Sequence, residues 1–419
     1  MSRDSSGSLR RELGTFDAVM IGLGSMIGAG IFAALAPAAH AAGSALLLGL
    51  ALAAVIAYCN ATSSARLAAV YPASGGTYVY GRERLGEFWG YLAGWGFVVG
   101  KTASCAAMAL TVGLYAWPTH AHALAVAAVV ALTAINYAGV QKSAWVTRVI
   151  VAIVLSVLAA IVATAFGSGG IGFAALDASG ASITGVLQAA GLMFFAFAGY
   201  ARIATLGEEV REPARTIPRA IPIALGIALI VYGLVAVAAL TTLGPQRLAA
   251  SAAPLLDTVT AAGLQWMEPI VRVGAVGAAA GSLLALILGV SRTTFAMSRD
   301  RNLPHLLAAV HPKYGVPYRA ELLVCLVVSI LAATVDLRGA IGFSSFAVLV
   351  YYAVANASAW TLVPAEGRPL RIVPALGLIG CVVVASALPL PSIISGAAVL
   401  ALGTLGYTVR RISGPDRRG

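Results

Sequence analysis

The chain consists largely of apolar runs, each close to the length of a bilayer crossing. Val149–Phe166 and Ile221–Leu240 contain no charged residue, and Ala45–Ala57 and Ala123–Ile135 continue the pattern. A helix needs about 20 apolar residues to span the hydrocarbon core. Only 10% of the 419 residues are charged and 60% are hydrophobic, whereas an ordinary soluble domain is about 25% charged. Too little polar surface remains to cover a water-soluble globule, so the expected fold class is an all-α integral membrane protein.

Spans are expected near 15–41, 43–70, 87–116, 121–139, 145–167, 184–206, 217–243, 266–295, 319–337, 340–363, 370–388 and 390–411, about twelve transmembrane helices. The polar segment "MSRDSSGSLRRELGTFDAV" is followed by no small-residue cleavage site, so 15–41 is expected to be a retained span. Residues 1–14 and 412–419 are then short tails on one side.

The net charge of +11 would suggest a polyanionic partner in a soluble protein. Its distribution reports topology instead. Arg3, Arg10 and Arg11, then Arg66, Arg82 and Arg84, Lys142 and Arg148, and Arg211, Arg215 and Arg219 fall on one side. Arg292, Arg299, Arg301, Lys313, Arg319, Arg368 and Arg371 join them, while the opposite loops offer little beyond Arg247 and Arg338. This bias places both termini in the cytoplasm of a multi-pass protein of the cell membrane. No nucleic-acid partner is implied; the bilayer itself is the partner.

The segment "IGLGSMIGAGIF" (21–32) puts four glycines inside the first span. A dinucleotide fingerprint has the wrong spacing and lacks a strand before it. Gly24 and Gly28 also form a G-x-x-x-G face for close helix packing. The third reading is a real break around Gly28–Gly30. Irregular backbone at membrane depth survives only where it lines a cavity or is buried in protein. A zwitterionic ligand would satisfy it, its carboxylate on free amides and its ammonium on free carbonyls. A second interrupted segment, "GLMFFAFAGYARIATLGEEVREP" (191–213), opens the sixth span around Phe197–Gly199. Breaks at matching positions of two five-helix halves point to inverted repeats with a midplane site. The halves are 15–167 and 184–363, followed by two accessory helices over 370–411.

"DAVMIGLGSMIGAGIF" (17–32), "YPASGGTYVYGRERLG" (71–86), "FFAFAGYARIATLGEEVREPARTIPRAI" (194–221) and "SRTTFAMSRDRNLPHLLAAVHPKYGVPYRA" (291–320) resemble the amino acid–polyamine–organocation superfamily of transporters, in order along nearly the whole chain. The resemblance implies the leucine-transporter fold and transport of amino acids, or in some branches polyamines, by proton symport or exchange. It implies that Ala29 and Gly30 amides take the substrate carboxylate. It also implies that carbonyls of Met26 or Ile27 and of Phe195 or Ala198 take the ammonium, beside Gly199, with the Phe195 ring closing over the ligand. Ala29 departs from the hydroxyl residue of some relatives. Ala201 stands where relatives that exchange arginine and agmatine carry an acid. Val154 or Leu155 stands where proton-coupled relatives carry a lysine in the fifth helix.

Lys101 lies near the middle of the third span, where an ionisable residue is a functional candidate by default. It would pair with an acidic substrate or titrate during the cycle; the bland alternative is a lysine that snorkels or bonds a carbonyl. Thr102 and Ser104 would add hydroxyls, Thr102 as a substrate-binding residue. Arg202 with Glu208 and Glu209 would form an inner gate or a solvated face. Asp17 would cap a helix or join that gate. Cys59, Cys105, Cys325 and Cys381 show neither metal nor disulfide spacing, and His120, His122, His305 and His311 read as surface residues. No metal or cofactor is implied, and no catalytic set appears, so an enzyme is not expected. A neutral or acidic amino acid, moved with protons or against a counter-substrate, is the expected cargo. A cationic amino acid or polyamine exchanger is the alternative, and a non-transporting membrane sensor a remote one.

Overall fold

The computed structural model describes residues 13–71, 75–139, 144–167, 176–178, 180–204 and 210–413. Among these residues there is no strand, and seventeen α-helices follow one another. The first interrupted span is α1 (Thr15–Met26), α2 (Ala29–Ala33) and α3 (Leu35–Ala42). Then come α4 (Leu46–Val70), the short α5 (Thr77–Leu85), α6 (Glu87–Ala116), α7 (Ala121–Tyr137) and α8 (Ala144–Gly167). The second interrupted span is α9 (Ile183–Phe197) with α10 (Ala201–Ala204). It is followed by α11 (Pro213–Ala250), α12 (Pro254–Ala261), α13 (Glu268–Arg299), α14 (Tyr318–Thr334), α15 (Leu337–Trp360), α16 (Ile372–Ser386) and α17 (Leu390–Ser413).

Ten of these stretches are long and apolar enough to cross a membrane. Helices α14, of 17 residues, and α16, of 15, fall short of that length and occupy the ninth and eleventh places counted in the sequence. Helix ends follow local chemistry. Ser182 accepts from the Gly185 amide at 3.0 Å to start α9, and Gly86, at φ +105°, closes α5. Helix α11 is bent by Gly244, at φ +74°, directly before Pro245, because a proline cannot donate the next helical bond.

Leu48, Val55, Ile153, Ile230, Val273, Leu326, Ile379 and Leu402 are exposed along the helix flanks, a surface suited to lipid. Trp89, Trp117, Trp145, Trp266 and Trp360 are exposed at helix ends, where amphipathic rings favour the membrane–water interface. The interior is drawn together by small residues, as in the close approach of Gly49 to Ala189 and Gly100 to Ala347. In lipid, such close van der Waals contact replaces the hydrophobic drive between helices. The interrupted spans lie at the centre, with α1 and α2 enclosed by α6, α8, α9, α11 and α13.

One end of the bundle carries the basic loops. There Arg84 pairs with Glu366, and Arg82 approaches Asp300 at 3.4 Å. Tyr78 donates to Asp300 at 2.8 Å, and Arg411 meets Glu87 at 2.9 Å. This end is called the basic face below. Burial, with the hydrogen bond to Asp300, pushes the Tyr78 phenol up to about 12.

Candidate substrate site at two interrupted helices

Helix α1 ends at Met26, and only Ile27 (φ −80°, ψ 50°) and Gly28 (φ −104°, ψ −135°) leave helical values before α2 restarts at Ala29. The interruption is narrower than the glycines suggest and lies one to two residues earlier. Ala29 and Gly30 form the first turn of α2, where amides have no intrahelical partner. The second span does not unwind at all. It tightens into a 3₁₀ turn over Ala198–Tyr200 and resumes as α10. A 3₁₀ turn shifts bonding from the fourth to the third residue along, so its carbonyls are redistributed rather than bared.

The two interruptions cross each other. A Cβ added at Gly30 would lie 2.5 Å from the Ala196 Cα, and one at Gly199 would lie 2.6 Å from the Met26 amide nitrogen. Close packing and helix interruption, read from the sequence as rivals, are therefore one feature. Each glycine makes room for the other span's backbone. Gly28 is pinned similarly, since an added Cβ would meet the Ser282 Cβ at 2.7 Å.

Three polar side chains from three helices converge on the carbonyls of this crossing. The Tyr232 hydroxyl on α11 lies 2.6 Å from the Met26 carbonyl and 3.0 Å from that of Ala196, sharing one proton between both spans. Ser282 on α13 donates to the Gly24 carbonyl at 3.1 Å. Lys101 on α6 donates from Nζ to the Ala198 carbonyl at 3.2 Å. It is 6% exposed, so it does not snorkel; it is held by the 3₁₀ turn. The sequence reading missed Tyr232 and Ser282. A tyrosine in "GIALIVYGLVAV" reads as a core aromatic, and nothing local marks its partner.

The crossing is enclosed. Met26, Ile27, Ala29, Phe195 and Ala198 are all buried. Away from the basic face, the Tyr115 hydroxyl donates to the Phe32 carbonyl at 3.0 Å and accepts from the Leu255 amide at 3.3 Å. It thereby ties α6 to α2 and α12. At the basic face the Arg211 amide donates to the Leu13 carbonyl at 2.8 Å, joining the segments that precede α1 and follow α10. Asp17 accepts from the Gly14 amide at 3.3 Å at the start of α1 and pairs with Arg148 on α8.

Other expected residues fall elsewhere. Thr102 returns its hydroxyl to Val98 at 2.7 Å and lines an apolar crevice rather than the crossing. The Ser104 hydroxyl meets that of Ser344 at 2.6 Å, joining α6 to α15. Arg202 sits half-buried on α10, and Glu208 and Glu209 lie outside the described residues. Gly24 of α1 faces Val151 of α8 (3.1 Å from an added Cβ), and Val154 is buried one turn further on. Among the described residues, no three His, Cys, Asp or Glu side chains gather as a metal would require.

The model of one family, described as amino acid permease, matches residues 13–404. The chain is 72% identical over 411 residues to an uncharacterized transporter of Mycobacterium tuberculosis, covering 98% of this chain and 93% of the relative. It is 30% identical over 348 residues to the branched-chain amino acid permease of Bacillus subtilis, covering 75% and 72% respectively. It is also 30% identical over 372 residues to cationic amino acid transporter 4 of Homo sapiens, covering 82% and 58%.

Proposed function

The chain belongs to the amino acid permease family, and from that premise we propose that it moves an amino acid across the cell membrane by alternating access. The substrate's carboxylate rests on the Ala29 and Gly30 amides and its ammonium on the Ile27 and Phe195 carbonyls, since those of Met26 and Ala198 are taken by Tyr232 and Lys101, with the Phe195 ring and Gly199 beside it. What carries this reading is the crossing itself. A two-residue break in α1 lies buried against the 3₁₀ turn that follows α9. Backbone that departs from a helix at this depth needs a partner, and a zwitterion supplies both signs.

A neutral or acidic amino acid fits better than a cationic one. The ammonium of Lys101 faces the Ala198 carbonyl, so a cationic side chain would add a third positive charge to a site that already holds this one and the substrate's own ammonium. Ala201 supplies no compensating acid. The likeness to a cationic amino acid transporter favours the second reading, a cationic exchanger. Lys101 is the coupling residue, taking the role that the fifth helix lacks at Val154 or Leu155. Both termini face the cytoplasm, and the two five-helix halves are inverted repeats. Asp17 and Arg202 belong to the inner closure.

A thermal-shift screen of purified protein against all amino acids and common polyamines tests the reading, because a ligand of the folded state stabilises it by mass action. Saturable counterflow of the stabilising amino acid in proteoliposomes then separates a transporter from a sensor. A polyamine as the only stabilising ligand would favour the exchanger.

A further inference from the structure

Between α6, α14, α15 and α17 runs an apolar crevice of about 810 Å³, separate from the crossing. Helix α14 packs chiefly on α7, α6 and α13, so it stands away from α15 and α17 and leaves a lateral opening. Leu323 and Val327 of α14 line the crevice, yet are 40% and 37% exposed on the flank of the bundle. The crevice therefore opens sideways into the bilayer. Its floor is Val99, Thr102 and Ala103 of α6, with the Thr102 hydroxyl turned back to its own helix.

The two ends differ in charge. At the basic face the crevice is bounded by Leu303, Pro304 and Leu307, flanked by exposed Arg301 and His305. The guanidinium of Arg319, also exposed, donates to the Leu306 carbonyl at 3.2 Å. The nearest acids do not cancel this charge: Asp300 is engaged by Tyr78 and Arg82, and Glu321 is fully buried. At the opposite end Asp336 lines the crevice, and Arg338, two residues on, leaves that mouth without the net positive charge of the basic face. Thr294 also lines the crevice, 2% exposed and with its hydroxyl unpartnered. It lies about 7–8 Å along α13 from Arg299, the depth of the ester groups of a phospholipid whose headgroup sits at the basic face.

We propose that this crevice holds one acyl chain of an anionic phospholipid, its headgroup over Arg301, His305 and Arg319 and an ester oxygen at Thr294. The apolar lining and the more basic of the two mouths fit an anionic lipid of that leaflet. The site is distinct from the amino-acid site, so failure of one reading leaves the other standing.

The test compares phosphatidylglycerol and phosphatidylcholine of identical chains added to the purified full-length protein, read by native mass spectrometry and thermal midpoint. Phosphatidylglycerol is expected to persist as an adduct and to raise the midpoint saturably, with phosphatidylcholine weaker. Val327→Trp, at the lipid-facing rim where folding is tolerant, and Ala103→Phe, on the floor, should both abolish the adduct. Arg319→Gln should remove the preference between the two lipids. Equal stabilisation by both lipids in the wild type would overturn the proposal, as would an adduct that survives Val327→Trp. A co-purifying peptide, or a second copy of the chain displaced by Val327→Trp, would overturn it as well.

Discussion

The hydroxyl of Tyr232 lies 2.6 Å from the carbonyl oxygen of Met26, the last helical residue before the break in α1. The same hydroxyl reaches the Ala196 carbonyl, so one side chain from α11 joins both interrupted spans. Tyr232→Phe keeps the ring packed edge-on against Phe197 and deletes only this link. A buried acceptor left unsatisfied costs about 1–3 kcal/mol. The thermal midpoint should fall accordingly in the absence of substrate, and a midpoint equal to the wild type would show that the bridge contributes nothing.

Gly30 and Gly199 should tolerate no side chain, for reasons of space alone. Alanine at either position meets backbone of the opposite span, and overpacking costs about 1–3 kcal/mol. Gly30→Ala should therefore lower stability before any ligand is added, as measured by denaturation of the purified protein. Loss of binding in a larger variant such as Gly30→Leu would report packing rather than the carboxylate contact.

Lys101→Met should leave the fold intact, since the side chain remains long and apolar where only one hydrogen bond was made. Uptake by the wild type across a pH series should show a dependence that the variant lacks. A variant whose uptake follows pH as before would remove Lys101 from the coupling role.

At the basic face, the Val363 amide and the Arg84 guanidinium hold the Glu366 carboxyl below the usual carboxylate range. A depressed pKa contributes stability that is fully present above the unfolded value of about 4.3 and is lost as pH falls through the folded value. The stability difference between wild type and Glu366→Gln should thus be flat at neutral pH and shrink only under acid. A difference that grows as pH falls would contradict the assignment.

Much of this architecture was legible because membrane crossing imposes a length and a polarity on every span. The twelve places, the central lysine and the glycine interruption in the first span followed from that constraint. What was not legible depended on phase and distance. One residue on a helix is a rotation of about 100°, which sends Lys101 to the Ala198 carbonyl and Thr102 into the apolar crevice. Tyr232 and Met26 are 206 residues apart in the chain, so no local pattern joins them. The glycines 22, 24, 28 and 30 marked the interruption, but not that it spans only Ile27 and Gly28. "FFAFAGY" looked equally breakable, yet a 3₁₀ turn keeps it bonded.

The most direct test of the central claim is competition for uptake in proteoliposomes by trimmed analogues of the transported amino acid. If the main-chain groups at the crossing grip both charged ends, the methyl ester and the deaminated acid should each fail to compete where the free amino acid succeeds. An ester that competes as well as the parent would mean that the Ala29 and Gly30 amides hold no carboxylate.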